Sequence, residues 1–237
     1  MQKKILAVLT ALMLCTSFAA CSEEGEPTIF SSTETRSTVS SEELQFTTPE
    51  AGDTVAIFTT DLGEFSVVLY PDLAPQACDN FIALANEGFY DGTALYRVIS
   101  GFCVQGGLDA DGQTDSAWGG STFPMEVSDA LHHYAGALCA APDADGTAAS
   151  PFYIVQAMPS DVSDAMVSAM EDAAYREEVI AAYTAAGGVP YLDYTDTVFG
   201  QVYDGMDVID AIAALETDEN DAPLEEVFLT NVTITTY

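Results

Sequence analysis

A thirteen-residue stretch in the middle of the chain, LYRVISGFCVQGG at 95–107, constrains the fold more than any other part of the sequence. It predicts two short β-strands, 95–99 and 102–105, because aromatic and β-branched residues form short runs that glycine-containing turns bound. Arg97 is the exception, a permanently charged guanidinium between apolar neighbours. Burying an arginine costs free energy unless another group pairs with it or uses it. We therefore expect Arg97 to belong to a functional site.

Positive charge is scarce in this chain, which makes that arginine more informative. There are 38 acidic residues against five basic ones, for a formal net charge of −33, and only Arg36, Arg97 and Arg176 lie beyond residue 20. Phosphate binding requires lysine and arginine, so such a surface repels nucleic acids and anionic lipid headgroups. The composition excludes a nucleic-acid-binding function.

The N-terminus has the pattern of a secretory targeting segment. Two lysines precede an apolar run at 5–14 that is too short to span a bilayer. Small residues then lead into Cys21, in a pattern that resembles the lipobox of bacterial lipoproteins. We expect residues 1–20 to be a lipoprotein signal peptide and Cys21 to carry lipid that anchors the protein to the cell membrane. An ordinary cleaved signal peptide is the alternative, and either places the mature protein outside the cytoplasm.

A polar segment separates this N-terminus from the part of the chain that can fold. Residues 21–52 are rich in Ser, Thr, Glu and Pro, which predicts a disordered tether. The folded domain is expected over 53–237. Its three cysteines, Cys78, Cys103 and Cys139, are odd in number and fit no zinc spacing, so we expect neither a disulfide framework nor a metal site. We interpret them as small core or groove residues.

The order of predicted elements favours a mainly β domain. Strands are predicted at 54–60, 64–70, 135–141, 152–156, 198–202 and 227–235, and helices begin at Pro75 and at Met206. Strands lie before and after two well-separated helices, without regular strand–helix alternation. This order favours a closed antiparallel barrel capped by helices.

Two further features have less specific interpretations. A long segment at 160–188 has helical spacing of apolar residues and an acidic outer face, which predicts an inserted helix. One interpretation is that this helix is a solubilising cap. The other is that it gates or extends a binding site. His132 and His133 are adjacent, and neighbouring residues of a strand point to opposite faces, so we do not expect them to bind one metal ion together.

The central stretch resembles the cyclophilin signature. The matching residues are Arg97, Gly101, Phe102, Gln105, Gly106 and Gly107. Further similarity lies at 75–81, 88–92, 150–154, 191–193 and 197–200, so that the resemblance covers roughly 54–237. It implies a closed antiparallel eight-stranded barrel capped by two helices, with 160–188 as an addition. It also implies peptidyl-prolyl cis-trans isomerase activity that needs no cofactor.

The resemblance also implies which residues form the site. The catalytic residues would be Arg97, Phe102 and Gln105. The substrate-binding residues would be Tyr96, Cys103, Ala141, Phe152, Tyr153, Tyr191 and Leu192. In this reaction no proton and no covalent bond must be transferred; the X-Pro amide twists, and a donor aimed at its nitrogen stabilises the twisted state more than the planar one. Arg97 would be that donor.

Several groove positions depart from the family pattern. Pro142 and Pro151 stand where an asparagine and a glutamine are usual, Tyr191 where tryptophan is usual and Asp196 where histidine is usual. We expect a weakened polar clamp on the substrate backbone. The expected partners are unfolded or surface proteins that contain proline. We expect the protein itself to be a monomer. A non-catalytic proline-peptide binding module is the first alternative, and a purely structural surface lipoprotein is the second.

Overall fold

The computed structural model describes residues 39 and 41–237. The predicted signal peptide, the lipidation site at Cys21 and most of the predicted tether lie outside the described residues. Of the helices in the described part of the chain, none is long and apolar enough to cross a membrane.

The described part of the chain contains one ten-stranded antiparallel sheet. Its strands are β1 Thr54–Thr60, β2 Gly63–Leu69, β3 Thr93–Ala94, β4 Arg97–Ile99, β5 Cys103–Gly106, β6 Phe123–Pro124, β7 Ala137–Pro142, β8 Thr147–Val155, β9 Thr197–Asp204 and β10 Phe228–Thr236. Their order is β3-β10-β1-β2-β9-β7-β8-β5-β4, and β6 pairs with β8 off this path. The predicted mainly β, antiparallel architecture is confirmed.

The predicted closed eight-stranded barrel is not confirmed, because the sheet stays open between β3 and β4. These strands stand at the two ends of the order, and no ladder joins them within the described residues. They are only two and three residues long. The backbone amides near this edge bond elsewhere: Leu95 N donates to Val227 O and Val98 N to Asp221 O. These two amides therefore bond to the segment that precedes β10 and not to β3.

Two helices cover the sheet as predicted. These are α1, Pro75–Asn86, and α4, Met206–Ala213. Pro75 occupies the first turn of α1, where a missing N–H costs nothing. Asn80 of α1 is buried; its Nδ2 donates to the Ala149 carbonyl at 3.0 Å, and its Oδ1 accepts from the Ala117 amide at 2.9 Å.

The insertion contains two helices where one was predicted. α2 covers Asp164–Asp172 and α3 covers Glu177–Ala186. Between them Ala174 has a left-handed φ of 59°, and Tyr175 N donates back to Met170 O, which closes the C-terminus of α2. Apolar residues of both helices pack in one cluster, which includes Met170 of α2 and Val179 of α3. The helical spacing of apolar residues in the sequence therefore does not reveal the break.

The two faces of the sheet bury separate apolar clusters. The inner face carries the main core, which includes the rings of Phe58, Phe81 and Phe152. The outer face carries a smaller cluster that includes Cys103 and Tyr153. Side chains alternate between the faces along each strand. All three described cysteines are free thiols, and their burial agrees with the predicted core or groove positions.

Part of the predicted disordered tether packs against the domain, so the prediction is wrong for residues 41–52. A short 3₁₀ helix, Leu44–Phe46, buries Gln45. Gln45 donates to the His132 carbonyl at 2.8 Å and accepts from the His132 amide at 2.7 Å. Glu43 forms a bidentate ion pair with Arg176, at 2.7 and 2.8 Å. Such long-range side-chain contacts leave no signal in local composition.

Candidate active site

The β4–β5 hairpin positions Arg97. Its register places Arg97 directly opposite Gln105 and Ile99 opposite Cys103. Gly101 sits in the turn with a φ of 77°, which favours glycine, and Phe102 N donates to Ile99 O at 3.0 Å. Facing residues of an antiparallel pair lie side by side on one face. The hairpin therefore brings the guanidinium and the glutamine amide together on the outer face of the sheet.

Four groups contact the Arg97 guanidinium, and one of them is the Cys103 sulfur, which lies 3.9 Å from Nη1. Arg97 Nη1 also donates to Gln105 Oε1 at 3.2 Å, and its Nε lies 3.5 Å from Asp221 Oδ2. Its central carbon lies 5.9 Å from the centre of the Phe102 ring, within cation–π range. The arginine side chain is 36% exposed. Because the polar contacts with other described residues use Nε and Nη1, Nη2 is the part of the guanidinium that we expect to face a ligand.

Gln105 links Arg97 to a second aromatic group. While its Oε1 accepts from Arg97, its Nε2 donates to the Tyr96 hydroxyl oxygen at 2.6 Å. Burial raises the pKa of Tyr96, although Gln105 and Arg97 act in the opposite direction. The phenol therefore stays protonated. Arg97, Gln105 and Tyr96, which are all predicted site residues, therefore form a continuous chain of polar contacts.

An apolar floor lies next to this chain. The outer-face cluster contains Cys103 and Tyr153, with Phe102, Ala141 and Leu192 packed against it. The Phe102 ring lies 6.3 Å from the Tyr153 ring and 6.5 Å from the Tyr191 ring. Tyr191 is 57% exposed and forms the outer rim. We define the prolyl groove as the surface between Arg97 and these residues.

Phe152 is the one predicted groove residue that the structure places elsewhere. It is 1% exposed and belongs to the inner core, where its ring meets those of Phe58, Phe81 and Tyr90. Phe152 and Tyr153 are neighbours on β8, so they point to opposite faces of the sheet. Only Tyr153 can contribute to the groove, and the assignment of Phe152 to the substrate site was wrong.

The polar side of the groove is depleted, as the sequence indicated. The Tyr153 hydroxyl donates to Asp196 Oδ2 at 2.8 Å. Burial, with the nearby Cys139 and Asp196, holds the pKa of Tyr153 far above its usual range. Pro142 ends β7, and Pro151 lies within β8 close to the shift in the β7–β8 register. Neither proline has an amide hydrogen to offer a substrate.

A buried carboxylate fixes the loop that carries Tyr191 and Leu192. Asp193 lies 2.9 Å from His132 Nδ1 and 2.8 Å from His133 Nδ1, and it accepts a 2.8 Å bond from Tyr183. The backbone amide of His133 also donates to it. Burial alone would raise the pKa of Asp193, but the histidine hydrogen bonds outweigh it and hold that pKa well below its usual range. The carboxylate is therefore ionised.

This cluster corrects the interpretation of the two histidines. His132 and His133 are not in a regular strand, and both rings turn toward Asp193. The Nε2 atoms of both are buried without a hydrogen-bond partner in the described structure. No group of three or more side chains among the described residues could hold a metal ion.

Two contributors to the site were not assigned from the sequence. Asp221 reaches Arg97 from the turn before β10, and the His133 ring stacks on the Tyr153 ring with their centres 6.4 Å apart. Asp221 lies in the acidic segment DEND at 218–221. No local pattern distinguished it, since its contact with Arg97 depends on the fold of the C-terminal segment.

Comparison with known proteins identifies similar sequences over this whole domain. A family model described as "Cyclophilin type peptidyl-prolyl cis-trans isomerase/CLD" matches residues 54–234. A protein of Staphylococcus saprophyticus named for peptidyl-prolyl cis-trans isomerase activity is 35% identical over 179 residues, which cover 75% of this chain and 90% of that protein. A protein of Staphylococcus aureus with the same name is 33% identical over 186 residues, covering 78% and 93%.

Solved structures show the same fold. A cyclophilin-type isomerase from Cryptosporidium parvum superposes with a TM-score of 0.61 at 21% identity, covering 78% of this chain and 99% of that one. A second structure of that protein, determined in the presence of the dipeptide Ala-Pro, gives a TM-score of 0.60 at 22% identity, covering 77% and 99%. Since these identities are low, the superpositions support the fold and not the details of the groove.

Proposed function

The chain belongs to the cyclophilin-type peptidyl-prolyl cis-trans isomerase family, and we propose that it isomerises X-Pro bonds of extracytoplasmic proteins in the prolyl groove. The observation that carries this proposal is the geometry of Arg97. Its guanidinium is restrained by Gln105 and Asp221, about a third exposed, and placed against the apolar floor. A proline ring would pack on Phe102 and Tyr153 while its amide nitrogen faced the arginine.

The chemistry required of the groove is modest. An X-Pro bond isomerises unaided in tens to hundreds of seconds. Twisting the bond removes resonance and makes the nitrogen more basic, so a donor at that nitrogen binds the twisted amide more strongly than the planar one. Arg97 Nη2 is suited to that role because Gln105 and Asp221 fix the rest of the guanidinium.

The energy required is within reach of such a site. Millisecond turnover needs an acceleration of roughly 10⁴- to 10⁵-fold, which corresponds to about 5.5 to 7 kcal/mol. A charge-assisted hydrogen bond, roughly 1.5–3 kcal/mol net, supplies part of this. Alignment of the proline on the rings of Phe102 and Tyr153, with water excluded, supplies more. The loss of polar donors at Pro142 and Pro151 would reduce substrate alignment.

The cellular setting is proposed from the N-terminal sequence. The two lysines, the apolar run at 5–14 and the small residues before Cys21 support a lipoprotein signal peptide. On this proposal the protein is anchored through lipid on Cys21 and acts as a monomer on unfolded or surface proteins that contain proline. Replacing Cys21 with serine should move the protein from the membrane fraction to the soluble fraction. Wild-type protein already free in the culture medium would contradict the anchor.

The isomerase proposal is tested with short proline peptides. The purified chain should accelerate their cis-trans exchange in proportion to its concentration, measured by a protease-coupled assay and by NMR exchange. The departures at Pro142, Pro151 and Asp196 favour one specific alternative, a non-catalytic module that binds proline peptides. Saturable peptide binding with no acceleration above the spontaneous rate would support that alternative and exclude the isomerase.

A further inference from the structure

The insertion builds an apolar cleft beside the prolyl groove. One wall is α2, which presents Met166, Ala169 and Met170, and the other wall is the segment from Pro190 to Asp193. Ala173 and Tyr175, which follow α2, complete the lining. The cleft has a volume of about 280 Å³. Pockets for whole small molecules are usually larger, roughly 300–1,000 Å³, so this cleft suits a single large side chain.

The lining of the cleft selects for apolar groups. Two methionines and two alanines form the α2 side, and methionine adapts its shape to different apolar partners. The one ionised group, Asp193, already receives bonds from His132, His133 and Tyr183. Its charge is therefore satisfied within the protein. Nothing in the cleft attracts a charged ligand specifically.

Tyr191 joins the cleft to the prolyl groove. The centre of its ring lies 6.5 Å from that of Phe102 in the groove, and Tyr191 also lines the cleft. Two residues of extended peptide span about 6.6 Å. A peptide whose proline rests on Phe102 could therefore place a neighbouring side chain, two or three residues away, over the rim formed by Tyr191.

The walls of the cleft are held in place before any peptide binds. The Asp193 cluster fixes the loop wall to the domain and, through Tyr183, to α3. Tyr175 donates to the Pro190 carbonyl at 3.4 Å and so connects the end of α2 to the same loop. Met170 is 3% exposed and packs with Tyr134, Val179 and Tyr183, which anchors α2. A preformed cleft loses little entropy on binding.

We propose that this cleft is an accessory subsite for a large apolar side chain, such as leucine, methionine or phenylalanine, of the proline peptide held in the groove. The inference rests on the proposed isomerase function and deepens it, because it assigns the insertion a role in substrate selection. Discrimination between a large apolar side chain and alanine in such a pocket is expected to be about tenfold in kcat/KM.

The test uses an alanine-rich host peptide with one proline and six derivatives. Each derivative carries one leucine, at one of the three positions on either side of the proline. Isomerisation is followed by NMR exchange, and the methionine methyl groups of the purified chain carry ¹³C as probes. We expect one position to raise kcat/KM about tenfold over the host peptide. The same peptide should shift the Met166 and Met170 methyl signals but not that of Met206, which lies on α4.

Two matched variants locate the effect. Ala169→Phe places a ring in the cleft from an exposed helix position, and Ala181→Phe makes the same change at an exposed position of α3 that does not line the cleft. Ala169→Phe should abolish the leucine gain and leave turnover of the host peptide unchanged. Ala181→Phe should retain both. A leucine gain that survives in Ala169→Phe, or a gain below twofold at every position, would overturn the subsite.

The outcomes also separate this inference from the proposed function. If no peptide is isomerised, the isomerase proposal fails. Leucine-dependent shifts of Met166 and Met170 that vanish in Ala169→Phe would then still establish the subsite. If the host peptide is isomerised but those methyl signals do not move with any peptide, only the subsite fails. Shifts that appear with rising protein concentration and no peptide would identify a second copy of the chain as the occupant and would also overturn it.

Discussion

The protein holds two charged groups beside the same groove in opposite ways. Asp193 is buried, and its bonds to two histidines and a tyrosine are 2.8–2.9 Å long. Arg97 is about a third exposed, and its polar contacts are longer, at 3.2 and 3.5 Å. The difference follows from what each group must do. Asp193 fixes a loop, so all of its hydrogen-bonding capacity can be used within the protein. Arg97 is the proposed donor to the substrate, so part of its hydrogen-bonding capacity must stay unused.

Removing the buried charge should produce the largest effect on the molecule. Asp193→Ala leaves the buried polar groups of His132, His133 and Tyr183 without their hydrogen-bond partner, and leaving a buried polar group unsatisfied costs about 1–3 kcal/mol for each group, or several kcal/mol for the three. The free energy of unfolding, measured in urea, should fall by that amount. Asp172→Asn, an exposed change at the end of α2, is the control. A loss below 1 kcal/mol would show that the Asp193 cluster does not stabilise the loop.

The same cluster should make stability depend on acid pH. The pKa of Asp193 is depressed in the folded protein. Below about pH 4 the unfolded chain therefore binds a proton that the folded chain does not. The contribution of Asp193 is present above that pH and is lost as the pH falls further. Between pH 5 and pH 2 the free energy of unfolding should fall more steeply for wild type than for Asp193→Asn. If the two free energies fell in parallel with pH, Asp193 would not be ionised in the folded protein.

Removing the exposed charge should affect activity and not folding. Loss of one preorganised donor to a transition state costs about 2.7–4 kcal/mol, or roughly 10²- to 10³-fold. Arg97→Ala should lose that much in kcat/KM, and Arg97→Lys nearly as much, because lysine keeps the charge but not the planar fork. The free energy of unfolding should change little in both variants.

Arg176→Ala is the matched control for Arg97. It removes an arginine whose partner is Glu43, outside the groove. Activity should therefore persist in this variant. If Arg97→Ala retained wild-type turnover while Arg176→Ala did not, the assignment of the catalytic arginine would be wrong.

The contrast also explains what the sequence could and could not predict. The β4–β5 hairpin, Arg97, Gln105 and the apolar floor follow from local patterns of strand, turn and charge. Phe152 was misassigned because two adjacent aromatic residues give no indication of which one faces the groove until the register of β8 is known. The break at Ala174 was missed because a left-handed alanine leaves no glycine signal.

Long-range polar contacts account for most of the remainder. The convergence of His132 and His133 on Asp193 joins residues about sixty positions apart in sequence. Docking of Gln45 on His132 spans 87 positions, through a segment whose composition predicted disorder. Such pairs form only after the fold has brought the segments together. The exposed Arg97–Asp221 contact belongs to the same class.

A smaller effect is expected from restoring polar groups at the edge of the groove. The double variant Pro142→Asn and Pro151→Gln supplies two side-chain amides and two backbone N–H groups. Pro151 lies close to the register shift of β7 and β8, and Pro142 is exposed, so both positions should accept the change. One added hydrogen bond contributes about 1 kcal/mol, which predicts a roughly fivefold gain in kcat/KM. A well-folded double variant with no gain would separate these prolines from the activity.

The smallest expected effect tests how loosely Arg97 is held. Asp221→Asn removes the charge that faces Arg97 Nε, while asparagine tolerates the left-handed φ of 64° at this position. The Asp221 side chain is 45% exposed, and exposed ion pairs contribute about 0.2–1 kcal/mol. We therefore expect kcat/KM to fall by about 1.4- to 5-fold, because the guanidinium loses one restraint, and the free energy of unfolding to stay unchanged. Adding salt should weaken the contact in wild type and reduce the difference in kcat/KM between wild type and Asp221→Asn.

Glu219→Gln, an exposed change in the same turn, is the control for Asp221→Asn and should leave kcat/KM unchanged. Higher activity in Asp221→Asn would instead mean that the carboxylate draws the arginine away from the substrate, so that the loose hold on Arg97 limits catalysis.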